Sequence, residues 1–124
     1  MTKRILSVED QEDNRRIIRD LLTSVGYEMI EASDGESGVR LAEEQRPDLI
    51  LMDIQLPGID GYEATRRIKA RPELHDIPII VVTSYALSGD DAKAKAAGSD
   101  AYVAKPFSPR DLLATIRKFL GDKD

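Results

Sequence analysis

Short apolar runs alternate with stretches of helical spacing along the chain. The runs are Ile5–Val8, Glu28–Ala32, Leu49–Met52, Ile77–Thr83 and Ala101–Ala104, with Glu28–Ala32 the weakest. Each has strand length. Between them, Ile17, Ile18, Leu21, Leu22 and Val25 fall on one helical stripe, which Gly26 stops. Val39, Leu41 and Ala42 form a weaker stripe before Pro47, and Tyr62 and Ile68 mark a third before Pro72. Leu112, Leu113, Ile116, Phe119 and Leu120 mark the last, with Ser108 as N-cap, Pro109 at the first helical position and Gly121 past the end. The segment Ser88–Gly98 is rich in alanine but has no large apolar side chain, which predicts a lightly held helix, either a plain surface helix or an element able to move. Five strands alternating with five helices predict an α/β fold with a parallel sheet. The run Ile77–Val82 does not alternate with polar residues, so the sheet is expected to carry helices on both faces.

The length of 124 residues fits a single domain, and a stand-alone domain over residues 1–124 with no output domain is expected. There is no cysteine, which excludes disulfides and thiolate metal sites. The N-terminal apolar run is too short for a signal peptide and no run is long enough to cross a bilayer, so a cytoplasmic protein is expected. The net charge is -5 and the basic residues are scattered, which argues against direct nucleic-acid binding.

In open α/β sheets, ligands bind beyond the carboxyl ends of the strands. The first strand ends in Glu9-Asp10, the third in Asp53, the fourth in Thr83-Ser84 and the fifth in Ala104-Lys105-Pro106. Three acids, a hydroxyl and an amine therefore converge on one edge. Two unit charges about 4 Å apart interact by roughly 4 kcal/mol at an effective dielectric of 20. One lysine cannot balance three clustered carboxylates, so either protons or a cation must join them. All the candidate ligands are oxygens, and an open site of few carboxylates suits Mg²⁺. A carboxylate can itself be the nucleophile that accepts a phosphoryl group, a transfer that needs positioning and charge neutralisation above all. Asp53 would be that nucleophile, Asp10 and Asp53 would hold Mg²⁺, and Lys105 and Thr83 would bind the phosphoryl oxygens.

These residues resemble the response-regulator receiver domains. The resemblance covers nearly the whole chain and rests on Val8-Glu9-Asp10, on Pro47 to Gly61 around Asp53, on Val82-Thr83-Ser84 and on Lys105-Pro106. It implies a flavodoxin-like fold with five parallel strands in order 2-1-3-4-5. It implies Asp53 as phosphoacceptor, with Asp10, Asp53 and the Gln55 main-chain carbonyl as metal ligands and Glu9 acting mostly through water. It implies that Thr83 and Lys105 bind the phosphoryl group and that a cis peptide bond precedes Pro106. An aromatic at the position of Tyr102 is implied to swing between outward and inward positions. Gln55 and Tyr85 are implied to influence water access. Glu9 stands where many receivers have Asp, and Ser84 is at the larger end of the residues tolerated there. Val8-Glu9-Asp10 with Asn14, together with Ser88-Gly89-Asp90, is similar to single-domain receivers of the DivK kind or to receivers fused to hybrid kinases.

The function this implies is a response regulator of a two-component phosphorelay. It would take its phosphoryl group from a sensor histidine kinase or a histidine phosphotransfer protein. It would then bind a downstream protein through the face of the Ala-rich helix, the fifth strand and the last helix. It would not be an enzyme beyond its own phosphorylation and dephosphorylation. A haloacid-dehalogenase-like phosphatase would need a second acid where Gln55 stands. A flavodoxin-like FMN carrier would need a Ser/Thr/Gly-rich phosphate loop where Glu9-Asp10-Gln11-Glu12-Asp13 stands. A receiver-shaped module that is never phosphorylated is a further alternative, against which the intact acid site speaks. Asp60 is expected to cap the third helix, and His75 to be a surface residue in a polar loop.

Overall fold

The computed structural model describes residues 2–83 and 90–121; Ser84, Tyr85, Ser88 and Gly89 lie outside the described residues. The elements run β1 (Arg4–Val8), α1 (Glu12–Ser24), β2 (Glu28–Ala32), α2 (Gly35–Gln45), β3 (Leu49–Asp53), α3 (Gly61–Lys69), β4 (Ile79–Thr83), α4 (Asp90–Ala97), β5 (Ala101–Ala104) and α5 (Pro109–Leu120). The strands form one sheet in order β2-β1-β3-β4-β5, and every pairing is parallel.

Side chains alternate across a strand, so each central strand feeds two cores. Ile5, Leu49, Leu51, Ile80 and Val82 pack with Ile18 and Leu22 of α1 and with Leu112 and Ile116 of α5. Leu6, Val8, Ile50, Met52 and Ile79 point the other way, onto Val39 and Ala42 of α2 and Ala64 and Ile68 of α3. The central strands β3 and β4 are buried along their whole lengths, as an unbroken apolar run requires when helices cover both faces. Gly38 lets α2 approach the sheet: a Cβ there would lie 2.8 Å from a Val8 methyl.

Local chemistry starts and stops the helices. Asp34, Asp60 and Ser108 each accept a hydrogen bond from the backbone N–H three residues on, at 2.7, 2.9 and 3.0 Å. Gln11 precedes α1 without a side-chain cap bond, and Glu12 and Asp13 instead place negative charge at its first turn.

Three details differ from the sequence pattern. Ile17 and Val25 do not join the buried stripe of α1 but are 58% and 41% exposed. That stripe narrows to the buried Ile18 and Leu22 with the partly buried Leu21, because the sheet is reached only by one side of the helix. The fourth strand starts at Ile79 rather than Ile77: Pro78 accepts the Ile50 N–H through its carbonyl at 2.9 Å but has no N–H to return. The third detail is a polar junction. The Lys69 ammonium donates to the carbonyls of His75 and Ile77 at 3.0 and 2.8 Å and to Asp100 at 2.9 Å. The same Asp100 oxygen accepts the Ile79 N–H at 2.9 Å, so one ion pair joins α3 to the starts of β4 and β5.

The anchors of α4 are methyl groups. Ala94 and Ala97 are buried, and Ala94 packs on Ile54 and Val81 with Tyr62 and Tyr102 alongside. The light apolar anchoring expected of this helix is present. The neighbouring strand β5 is only half-buried along its length.

Candidate functional site

Register brings the site together. Val8 pairs with Met52 and Asp53 pairs with Val82, so the residues closing β1, β3 and β4 reach the same sheet edge. Thr83 pairs with Ala104, which delivers Lys105 one residue later. Glu9, Asp10, Asn14, Asp53, Gln55 and Lys105 are among the residues lining an open cleft of about 620 Å³ there. Glu9, Asp53 and Thr83 are buried, whereas Asp10 is exposed. The Thr83 carbonyl accepts the Lys105 N–H at 2.6 Å, and the bond between Lys105 and Pro106 is cis, as the resemblance implies.

Glu9 is held from every side. Its N–H donates to the Ala32 carbonyl at 3.0 Å, its carboxylate accepts the Gln11 N–H at 3.2 Å, and its other carboxylate oxygen accepts the Lys105 ammonium at 2.9 Å. The Glu9 carbonyl accepts a guanidinium N–H of Arg15 at 2.9 Å. Lys105 thus sits on Glu9, while the nearest Asp53 oxygen is 3.8 Å away. The sequence reading assigns Lys105 to the phosphoryl group; in this structure the buried Glu9 carboxylate takes the ammonium.

Asp53 follows from this arrangement. Burial is the larger influence and the Glu9 charge the next; together they push its carboxyl up to about 6, against the opposing pull of Lys105 and the Ile54 N–H. That N–H donates to an Asp53 oxygen at 2.8 Å. Behind it, a Cβ on Gly61 would lie 2.1 Å from the Asp53 carbonyl, so only glycine lets α3 begin against this peptide. The Gly61 N–H donates to the Ile54 carbonyl at 2.9 Å, and Asp60 caps the helix as expected. The α3 N-terminus therefore fixes the main chain that carries Asp53.

The donor set fits a hard divalent cation. Glu9, Asp10 and Asp53 each offer an oxygen, all within 4.8 Å of one another, and Gln55 lines the same cleft. The one histidine of the chain, His75, is exposed in its loop and does not line the cleft. Sequence reasoning missed Arg15. It grips a main-chain carbonyl and Glu31 of β2, and neither partner leaves a trace in apolar periodicity.

Comparison with known proteins agrees with this geometry. The family model described as the response regulator receiver domain matches residues 5–117. The polar-differentiation response regulator DivK of Brucella ovis is 45% identical over 122 residues, covering 98% of this chain and 99% of that protein. The receiver domain of a sensor histidine kinase from Pseudomonas aeruginosa, solved with a magnesium ion coordinated in its active-site cleft, superposes with a TM-score of 0.91. It is 42% identical and the match covers 98% of this chain and 100% of that one. The chemotaxis protein CheY4 of Vibrio cholerae gives a TM-score of 0.90 at 27% identity over 96% of this chain and 99% of its own. With a family match over residues 5–117 and a 2-1-3-4-5 parallel sheet, the chain belongs to the response-regulator receiver domains and is a response regulator of two-component signalling.

Proposed function

We propose that Asp53 accepts a phosphoryl group from a phosphohistidine and that the charge this adds switches binding of a downstream protein. The observation that carries the reading is the placement of Asp53: buried at the end of β3, with two further acids and Lys105 at hand. In the transfer, an Asp53 carboxylate oxygen forms a bond to phosphorus. The bond from phosphorus to the donor imidazole nitrogen breaks, and that nitrogen keeps the electron pair.

Asp10, Asp53 and the Gln55 carbonyl would hold Mg²⁺ with Glu9 beside them, and the ion when bound supplies charge neutralisation for the phosphoryl oxygens. Lys105 already stands 3.8 Å from Asp53, so a small movement lets its ammonium serve a phosphoryl oxygen as well as Glu9. The Thr83 hydroxyl is the second donor. Its approach to the phosphoryl group frees space toward β5, into which Tyr102 turns; Pro106 holds the Lys105 loop. The half-buried β5 and the alanine-anchored α4 form, with α5, the surface where the change is read.

The donor is a sensor histidine kinase or a histidine phosphotransfer protein, and the target is a protein rather than nucleic acid, given the net charge of -5. Such donors place the protein in the cytoplasm. Incubation with acetyl phosphate and Mg²⁺ tests the central step. One phosphoryl mass should appear on the wild type and none on Asp53→Asn. Equal labelling of both would remove Asp53 from the role, and no labelling of either would leave a receiver-shaped binding module. Thr83→Ala should still be labelled but should lose the amide-exchange changes in α4, β5 and α5 that beryllofluoride induces in the wild type.

A further inference from the structure

We infer that Arg15 is a positioning residue for the acid site: its guanidinium fixes the peptide between Glu9 and Asp10 and so sets where the Asp10 carboxylate meets a divalent cation. The inference rests on the reading of Asp10 as a cation ligand. Arg15 does not line the cleft, and its side chain is only 17% exposed. One N–H donates to the Glu9 carbonyl at 2.9 Å. A second lies 2.6 Å from Glu12 of the first turn of α1, and the Nε atom lies 3.7 Å from Glu31 of β2. Glu31 is itself held by two bonds from Arg19, at 2.6 and 2.8 Å.

The mechanical consequence follows from peptide planarity. The Glu9 carbonyl belongs to the plane that also carries the Asp10 nitrogen. The Ala32 carbonyl holds the Glu9 N–H at 3.0 Å, before Glu9, and Arg15 holds the carbonyl after it. With both ends fixed, this plane cannot turn, and the direction in which Asp10 leaves the strand is set. Asp10 needs such help because it is exposed, whereas Glu9 and Asp53 are placed by burial. The planar fork of arginine suits the task, since it bonds two acceptors and also stands beside Glu31, which a lysine ammonium could not do at once.

A competing effect has the opposite sign. A cation near the acid site repels Mg²⁺, so removing Arg15 could tighten binding. The Arg15 and Arg19 charges are matched by Glu12 and Glu31 at short range, which leaves little net field at the cleft. Positioning should therefore dominate. Partners that orient metal ligands are worth about 10- to 100-fold in affinity, and one acting through the main chain belongs at the low end.

Titration calorimetry with Mg²⁺ on the full chain tests this, with thermal melts in parallel. Arg15→Met should weaken Mg²⁺ binding by about 10-fold while Asp53 and Glu9 stay intact, and Arg15→Lys should recover part of the loss. Amide exchange at Asp10 and Gln11 should rise in Arg15→Met. Unchanged or tighter Mg²⁺ binding by Arg15→Met, with a lower melting temperature only, would reduce Arg15 to a structural residue and overturn the inference. Asp10→Asn separates the two readings. If it binds Mg²⁺ as the wild type does, Asp10 is no ligand and the underlying reading fails, whatever Arg15 does.

Discussion

Replacing Asp53 by Asn should stabilise the metal-free protein at neutral and alkaline pH and leave it unchanged in acid. Burial and the Glu9 charge raise the Asp53 carboxyl from an ordinary 3.8 to about 6. The native state therefore holds this proton longer than the unfolded chain does. The contribution of Asp53 is most favourable below about pH 4 and is lost as pH rises through about 6. At about 1.4 kcal/mol per pH decade the full displacement corresponds to about 3 kcal/mol. The Asp53 side chain is 8% exposed but lines a cleft open to solvent, and screening there leaves roughly 1–2 kcal/mol of that repulsion.

Asparagine keeps the oxygen that accepts the Ile54 N–H and offers Glu9 an amide instead of a charge, so little is lost with the carboxylate. For a chain of 124 residues the gain corresponds to a rise in melting temperature of about 3–8 °C at pH 8, with none at pH 4. Scanning calorimetry in chelator from pH 4 to 8 measures it. Saturating Mg²⁺ should then raise the wild type more than the variant, because a ligand bound only by the native state stabilises it. A melting difference that does not vary with pH would show that the Asp53 charge is not the strained element. A lower melting temperature for Asp53→Asn at pH 8 would refute the sign.

Gly61→Ala should cost about 2–3 kcal/mol in urea unfolding, because the new Cβ would meet main-chain atoms of Asp53 and Ile54 that cannot rotate away; a loss below about 0.5 kcal/mol would mean that α3 shifts freely. Thr65→Val should be neutral or stabilise by about 1 kcal/mol, since the buried Thr65 hydroxyl has no hydrogen-bond partner among the described residues; clear destabilisation would show that the hydroxyl is bonded in solution. Lys69→Met should cost about 2 kcal/mol by leaving two carbonyls without their donor and Asp100 with only the Ile79 N–H. A double-mutant cycle with Asp100→Asn should return a coupling above about 0.5 kcal/mol, and a coupling of zero would deny that the pair joins α3 to β4 and β5.

Much of this was legible in the sequence because its signals are short-ranged. Ser108 and Pro109 announce α5 within two residues, and Ile79–Val82 can only be a strand covered on both faces. In α1, helical spacing groups Ile17 with Ile18, but the helix turns Ile18 to the sheet and leaves Ile17 58% exposed. Arg15 and Lys69 were not legible at all. Both grip main-chain carbonyls from other elements, and a carbonyl has the same chemistry whatever residue carries it. Only the approach of α3 to the Asp53 carbonyl shows what Gly61 is for.

The acid site was legible for a different reason. Side chains alternate along a strand, so a slip of one residue between β1 and β3 would turn Asp53 away from Glu9. Packing opposes that slip, because Leu51 and Met52 lie on opposite faces and each would be carried into the core shaped for the other. Pairing Val8 with Met52 is thus imposed by the core, and the acids that follow those residues are carried to the edge together. The repulsion among them is a consequence of good packing rather than of local preference. The hydrophobic energy of two buried strands outweighs a few kcal/mol of charge strain, and that strain is what remains to be relieved by a proton, by Lys105 or by a cation.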